Sequence, residues 1–207
     1  MMRHSSSHSL VLLLLPVTAI AAACNTDPVH TAAVDSLGPE VAGIPQGEFH
    51  RAGQPCVTCH GPEGPAKTQF SMAGTVFYGP ANNPPTPIGV GNATVILEDD
   101  SQSMFQVTTD CVGNFFIKPS DWPGHPQFPV LVTIQGQPET VNLERSMQSH
   151  IGRDGSCAGC HQYPTTDNFF QTPGLVALST SDDPNFQGTD PNCPVSPVPP
   201  GFGGAGP

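Results

Sequence analysis

The chain has 207 residues, with 17 Asp and Glu against 6 Lys and Arg, and its formal net charge at pH 7 is −11. This acidic balance argues against nucleic acid as a partner and favours basic partner proteins through electrostatic steering. The 22 Gly and 25 Pro residues indicate short strands and many turns rather than long helices.

The N-terminal residues 1–23 are predicted to be a signal peptide. Arg3 precedes an almost unbroken apolar run, residues 10–23, which is short for a membrane-spanning helix of about 20 apolar residues. The run ends in Ala21-Ala22-Ala23-Cys24. This resembles a bacterial lipobox, although Ala21 stands where Leu is usual, and it also suits ordinary signal-peptidase cleavage. We expect export to the periplasm or cell surface, with Cys24 as the candidate for lipidation and membrane anchoring.

A tether over residues 24–45 leads into a first haem segment, residues 46–69. This segment contains Cys56-Val-Thr-Cys59-His60, the Cys-x-x-Cys-His attachment motif of c-type haem. Two thiols three residues apart on a turn can reach the two vinyl groups on one porphyrin edge. The adjacent imidazole then lies beneath the iron. Cys56 and Cys59 are therefore predicted to bind haem covalently, with His60 as an iron ligand.

Residues 70–143 show period-two runs rich in β-branched and aromatic residues, separated by Gly/Pro clusters. Such a pattern predicts an antiparallel sandwich or barrel. We expect a mainly β fold, an antiparallel β-sandwich flanked by two loop-rich or short-helical haem segments. The predicted strands are Phe70–Phe77, Ala93–Leu97, Met104–Thr108, Asn114–Ile117, Val130–Gln135 and Glu139–Leu143.

Three pieces of this region resemble carboxypeptidase-regulatory-like, transthyretin-like β-sandwiches. They are Ala73-Gly-Thr-Val-Phe77, Ala93-Thr-Val-Ile-Leu97, and Thr108-Thr-Asp110 followed by Gly113-Asn114-Phe115. The resemblance covers roughly residues 72–135, and the chain departs from it by placing Cys111 in the hairpin turn. It implies a fold and no particular function.

A second haem segment is predicted over residues 144–166, before a Pro/Gly-rich tail, residues 167–207. It contains Cys157-Ala-Gly-Cys160-His161, so Cys157 and Cys160 are predicted to bind a second haem and His161 its iron. Two such motifs in an exported chain resemble an exported dihaem c-type cytochrome. An even number of antiparallel strands would return both motifs to the same end of the sandwich.

The remaining pair of cysteines is Cys111 and Cys193. In an oxidising compartment such a pair is most simply a disulfide. The alternative is two free buried thiols.

The sixth ligands of the two irons are predicted to be histidines. His50 and His150 lie six and seven residues upstream of the two motifs, each with a Gly between, and we expect two bis-His haems. Met147 is the alternative for the second haem. Met72 and Met104 occupy strand-like positions and are expected in the core, whereas His125 lies in a Pro-rich turn and His30 is unassigned.

The predicted function is electron transfer by two covalently attached haems to partner proteins that the sequence does not identify, with no catalytic residues. One alternative is a haem enzyme such as a peroxidase, which needs an open iron and an acid–base pair. Another is zinc held by the four motif cysteines. A surface-binding role of the sandwich, with Trp122 and Tyr163 as candidate aromatic contacts, is compatible with electron transfer. Haem absorption separates the zinc hypothesis from the others, and carbon monoxide or cyanide binding separates an enzyme from a carrier.

Overall fold

The computed structural model describes residues 27–40, 43–44, 46–79, 87–124, 126–136, 143–162, 173–179 and 193. The predicted signal peptide, Cys24, His125, Tyr163 and most of the predicted tail lie outside these ranges. Within the described ranges, no helix is long and apolar enough to cross a membrane.

The described residues contain three short helices, and two of them carry the motifs. Helix α1 spans Pro28–Ser36, α2 spans Cys56–His60 and α3 spans Cys157–Cys160. Helix α1 begins where a helix start is favoured, because the Asp27 carboxylate accepts the Val29 N–H at 2.8 Å and Pro28 stands in the first turn. Its half-buried and buried positions recur at i, i+4 and i+7, namely His30, Val34 and Leu37. One side of α1 therefore packs on the protein, and this helix contacts α2.

In the part of the chain that the structure describes, six strands form two antiparallel sheets. The first sheet pairs β1 with β4, and the second has the order β3-β2-β5-β6. The strands are β1 Met72–Thr75, β2 Thr94–Glu98, β3 Met104–Thr108, β4 Asn114–Ile117, β5 Leu131–Gln135 and β6 Glu144–Ser146.

The predicted mainly β, antiparallel fold is confirmed. Five predicted strands coincide with β1 to β5, whose ends differ by a few residues. The sixth prediction, Glu139–Leu143, is displaced: β6 begins at Glu144, inside the residues assigned to the second haem segment, and residues 139–142 lie outside the described ranges. All three residues of β6 are exposed, so no alternating pattern marks this strand in the sequence.

One hydrophobic core joins the two sheets. It combines side chains of β1 and β4 with side chains of β2 and β5, including Met72, Ile117, Leu97 and Val132. Trp122 is also part of this core: its side chain is only 3% exposed and its ring stacks on Phe105 with centroids 5.4 Å apart. The expectation that Trp122 serves as an exposed binding aromatic is therefore wrong.

A short segment of the predicted tail belongs to the core. The Phe77 N–H donates to the Val176 carbonyl at 2.8 Å, and the Leu178 N–H donates to the Phe77 carbonyl at 3.0 Å. Leu178 is 1% exposed. Residues 173–179 thus pack against the end of β1, a position that their turn-forming composition does not indicate.

The predicted Cys111–Cys193 disulfide is confirmed. The Cα atoms of the two residues are 5.7 Å apart and they are separated by 82 residues in sequence. The bond joins the turn between β3 and β4 to the C-terminal part of the chain. This turn is not the hairpin that the resemblance implies, because β3 and β4 lie in different sheets.

Replacing Cys111 by Ser should lower the free energy of unfolding by about 2–5 kcal/mol, because removing a cross-link that closes a long loop releases entropy in the unfolded chain. Urea denaturation of oxidised protein measures the change, and Cys193→Ser should give the same result. Reductant should destabilise the wild type and leave both variants unaffected. Equal stability of Cys111→Ser and the wild type would contradict the prediction.

Candidate functional site

The first motif places His60 with one ring nitrogen ready to bind a metal. The His60 Nδ1 lies 2.8 Å from the Thr68 carbonyl oxygen. A carbonyl can only accept, so Nδ1 carries the proton and the lone pair of Nε2 is free. Histidines that ligate metals are usually oriented in this way. Phe70 stacks on the His60 ring with centroids 4.2 Å apart and further fixes its orientation.

His50 lies opposite His60. The two ring centroids are 5.9 Å apart and the ring planes differ by 19°. The rings are stacked, and both imidazoles are close enough to serve one metal. The sequence nominates His50 as a sixth ligand and leaves open which of the two irons it serves.

The Nδ1 of His50 has a different partner from that of His60. It accepts the Gly47 N–H at 3.1 Å, which places the proton on Nε2. Binding of a metal at Nε2 requires that proton to move to Nδ1, and the contact with Gly47 would then be lost. The 47–50 turn must therefore adjust when His50 becomes a ligand.

A cavity of about 320 Å³ connects these groups. Its lining includes both thiol-bearing residues of the first motif, His50 and His60, and the aromatic rings of Phe70, Phe115 and Phe116. Its volume lies within the range of small-molecule sites, which are mostly apolar with a few placed polar groups. The lining fits a flat, apolar group attached through Cys56 and Cys59.

Arg51 holds the loop that carries His50. Its guanidinium forms an ion pair with Glu40 at 3.0 Å, donates to the Gln54 side chain at 2.7 Å, and donates to the main-chain carbonyls of Leu37 and Gly38. These contacts tie the residues after α1 to the first haem segment. Since these contacts engage the guanidinium on several sides, we infer that Arg51 stabilises the loop rather than binding a ligand.

The second motif repeats the histidine arrangement of the first. The His161 Nδ1 lies 2.7 Å from the Gly174 carbonyl oxygen, so its Nε2 is again the free nitrogen. Burial lowers the pKa of His161, although the bond to Gly174 opposes this, and the ring stays neutral as metal binding requires. The carbonyl comes from the segment that packs on Phe77, which explains why that segment matters for the site.

The candidates for the sixth ligand of the second iron differ in how far they are buried. His150 is exposed on the chain between β6 and α3, whereas Met147 is half-buried and packs against the core. Met72 is fully buried, as predicted, but Met104 is 60% exposed, so its assignment to the core is wrong. His30 is half-buried on α1, and its Nε2 is buried without a hydrogen-bond partner among the described residues.

Strand β1 brings the two motifs together. On one side, the Gly53 N–H donates to the Thr75 hydroxyl at 2.8 Å. Along its edge, the Ala73 N–H donates to the Gly155 carbonyl at 2.9 Å. Helices α2 and α3 both contact this strand. Both attachment motifs therefore pack against one four-residue strand, although Cys157 comes 101 positions after Cys56 in sequence.

The four motif cysteines are free thiols. Burial raises the pKa of Cys56 to about 11 and that of Cys157 to about 12. Burial also raises the pKa of Cys59. Catalytic and redox cysteines usually have a lowered pKa, so the shifts of these three thiols have the opposite direction.

The described residues contain no cluster of three or more His, Cys, Asp or Glu side chains that could hold a metal ion. Two histidines, His50 and His60, lie next to each other at the first motif.

The chain matches no protein-family model, and comparisons with curated proteins and with solved structures found no significant match.

Gly74→Ala should disrupt the packing of the second motif. A Cβ at position 74 would lie 2.7 Å from the Cys157 Cβ and 2.8 Å from its Sγ. Forcing a methyl group into a packed site costs about 1–3 kcal/mol. Gly152→Ala is the matched control, because a Cβ there meets no heavy atom within 4 Å. Equal urea midpoints for the two variants would contradict the predicted close packing.

Asp110→Asn should stabilise the protein more at pH 7.5 than at pH 4. Burial raises the pKa of Asp110 to about 6, and nearby Glu48 also raises it. Its Oδ2 is buried without a partner among the described residues. The folded pKa exceeds the unfolded value of about 3.9, so stability falls as pH rises through this interval. After allowance for partial exposure, the difference between the two pH values should be about 1–2 kcal/mol.

Asp99→Asn is the control of opposite sign for this measurement. The Asp99 carboxylate accepts hydrogen bonds from the Ser101 hydroxyl and from the N–H groups of Ser101, Ser103 and Gln127, which lower its pKa. Its contribution is present above the unfolded pKa and is lost as pH falls through the folded value. Urea denaturation at both pH values measures both variants, and the same pH trend in both would contradict the assignments.

Proposed function

We propose that this chain is an exported dihaem c-type cytochrome that transfers electrons. The observation that carries the proposal is shared by both motifs: His60 and His161 each direct Nδ1 at a main-chain carbonyl, at 2.8 and 2.7 Å. Two motifs with little sequence in common outside Cys-x-x-Cys-His thus orient their histidines in the same way. A free Nε2 beside two thiols is the donor set that a covalently bound haem requires.

Each part of the first site has a defined role in this proposal. Cys56 and Cys59 form the thioether links, and His60 binds the iron through Nε2. Phe70, Phe115 and Phe116 line the cavity and keep water from the porphyrin. Haem supplies one-electron redox chemistry at its iron. The protein sets the potential through ligand type, burial and hydrogen bonding to the ligands.

His50 is proposed as the sixth ligand of the first iron, and His150 of the second. The 5.9 Å separation of the His50 and His60 rings supports the first assignment. The second rests on the matched placement of His150 upstream of its motif. Two imidazole ligands leave no open iron position for a substrate, which favours a carrier over an enzyme. They also give a lower potential than a His/Met pair.

The position of both motifs on β1 supports electron exchange within the molecule. Helices α2 and α3, which carry Cys56 and Cys157, both contact this strand. Haems attached at these two residues would therefore lie beside the same strand. The sandwich, with its resemblance to transthyretin-like domains, serves in this proposal as the scaffold that holds them.

The proposed setting of the protein rests on the apolar run of residues 10–23 and on its acidic charge. We place it outside a bacterial cytoplasmic membrane, in the periplasm or on the cell surface, with Cys24 as its lipid anchor. The net charge of −11 favours redox partners with basic surfaces. Haem propionates would add to this charge.

The proposal predicts two covalently bound haems per chain. Wild-type protein from a host with the haem-attachment machinery should give a c-type pyridine haemochrome spectrum and an intact mass raised by two haems. Replacing Cys56 and Cys59 by Ala should remove one haem, and replacing Cys157 and Cys160 should remove the other. Cys111→Ser is the matched control, because this cysteine lies outside the motifs and its loss should leave the haem count at two. A wild-type mass without added haem would refute the function.

A further inference from the structure

Asn114 on β4 is a buried polar side chain at the centre of a hydrogen-bond network around His50. It is 7% exposed. Its amide nitrogen donates to the Glu48 carbonyl at 3.1 Å and to the His50 carbonyl at 3.2 Å. Both partners only accept, so the orientation of the amide is determined. Asn114 therefore holds the main chain of the loop from which the His50 imidazole projects.

Thr75 completes the network from the neighbouring strand. Its hydroxyl donates to the Asn114 Oδ1 at 2.7 Å and accepts the Gly53 N–H at 2.8 Å. Thr75 and Asn114 are directly paired in the β1–β4 register, so both side chains point to the same face. The two strands hold the loop at Glu48, His50 and Gly53.

Asn114 is itself fixed in place. Its N–H donates to the Asp110 carboxylate at 2.9 Å, and its carbonyl accepts the Asp110 N–H at 2.8 Å. The turn between β3 and β4 thus fixes the position of the Asn114 amide, and the amide in turn fixes the position of the loop. An ordinary buried Asn in a sheet would stabilise its own strand. This one uses both amide hydrogens on a loop more than 60 residues away.

We propose that Asn114 and Thr75 are positioning residues that hold His50 at the distance from His60 needed for both imidazoles to bind one iron. This inference rests on the proposed function, because it assigns a role within the first haem site. Neither side chain touches the iron. They act through the His50 main chain, which they keep in place when the contact between His50 and Gly47 is lost.

The test compares Asn114→Asp and Thr75→Val with His50→Ala in full-length haem-loaded protein. Asn114→Asp keeps the shape and removes both N–H donors, and Thr75→Val removes the hydroxyl. Each lost hydrogen bond should shift the equilibrium toward an unligated His50 by roughly tenfold. We expect a larger high-spin fraction in the oxidised spectrum and carbon monoxide binding by the reduced protein, with two haems still attached.

Two controls separate positioning from general stability. Thr109→Val removes another buried threonine hydroxyl, which donates to the Val90 carbonyl at 2.6 Å and accepts the Ala93 N–H at 2.9 Å. It should lower stability to a similar extent and leave the haem spectrum unchanged. Thr75→Ser keeps the hydroxyl and should restore the low-spin spectrum.

The outcomes distinguish this inference from the function on which it rests. If His50→Ala opens one haem to carbon monoxide while Asn114→Asp and Thr75→Val behave like Thr109→Val, the positioning role is overturned and the haem site stands. If His50→Ala leaves both haems low-spin, the ligand assignment and the positioning role are both overturned. If Asn114→Asp does not fold, Thr75→Val with its Thr75→Ser rescue decides the matter.

Discussion

The arrangement of both motifs depends on β1 being buried on both faces. All four of its residues are buried, although it belongs to a sheet of only two strands. Met72 reaches the core shared with the other sheet, Thr75 bonds the first motif's loop, and Gly74 lies under Cys157. A side chain at position 74 would displace the second motif. The core, the loop of the first motif and Cys157 all pack on this strand, so it is short and most of its side chains are small.

Much of this fold could be predicted from local sequence patterns. Period-two runs identify β1 to β5 because those strands alternate or are buried, and the leftover cysteines identify the disulfide in an oxidising compartment. β6 escapes prediction because its side chains are all exposed and carry no pattern. Trp122 was expected at the surface and is buried, whereas Met104 was expected in the core and is exposed. The reason is related: the sequence of a turn or of an edge strand does not show which of its side chains face solvent.

The candidate site, like the fold, has parts that could be predicted from the sequence and parts that could not. The chemistry of Cys56, Cys59 and His60 is readable because the attachment motif is contiguous. The choice of His50 and His150 as sixth ligands came from an internal repeat that left open which motif each one serves, and the structure places the His50 ring next to the His60 ring. The same repeat nominates His150, but this residue is exposed in the structure. Thr75 and Asn114 support the site through contacts with residues 22 to 66 positions away, so no local spacing could identify them. Thr68 and Gly174 lie 8 and 13 residues from their histidines and act through main-chain carbonyls, which no side-chain pattern marks.

The disulfide between Cys111 and Cys193 encloses the whole second motif within its loop. Apart from Cys24, the chain has six cysteines, and six thiols allow 15 complete disulfide pairings. Haem attachment at both motifs would consume four of them and leave a single possible pair. In an oxidising compartment, the order of events then decides the product: a cofactor attached early protects the chain from mispairing, and a delay leaves four competing thiols. Covalent haem would thus favour the correct pairing of Cys111 with Cys193 in the domain that carries it.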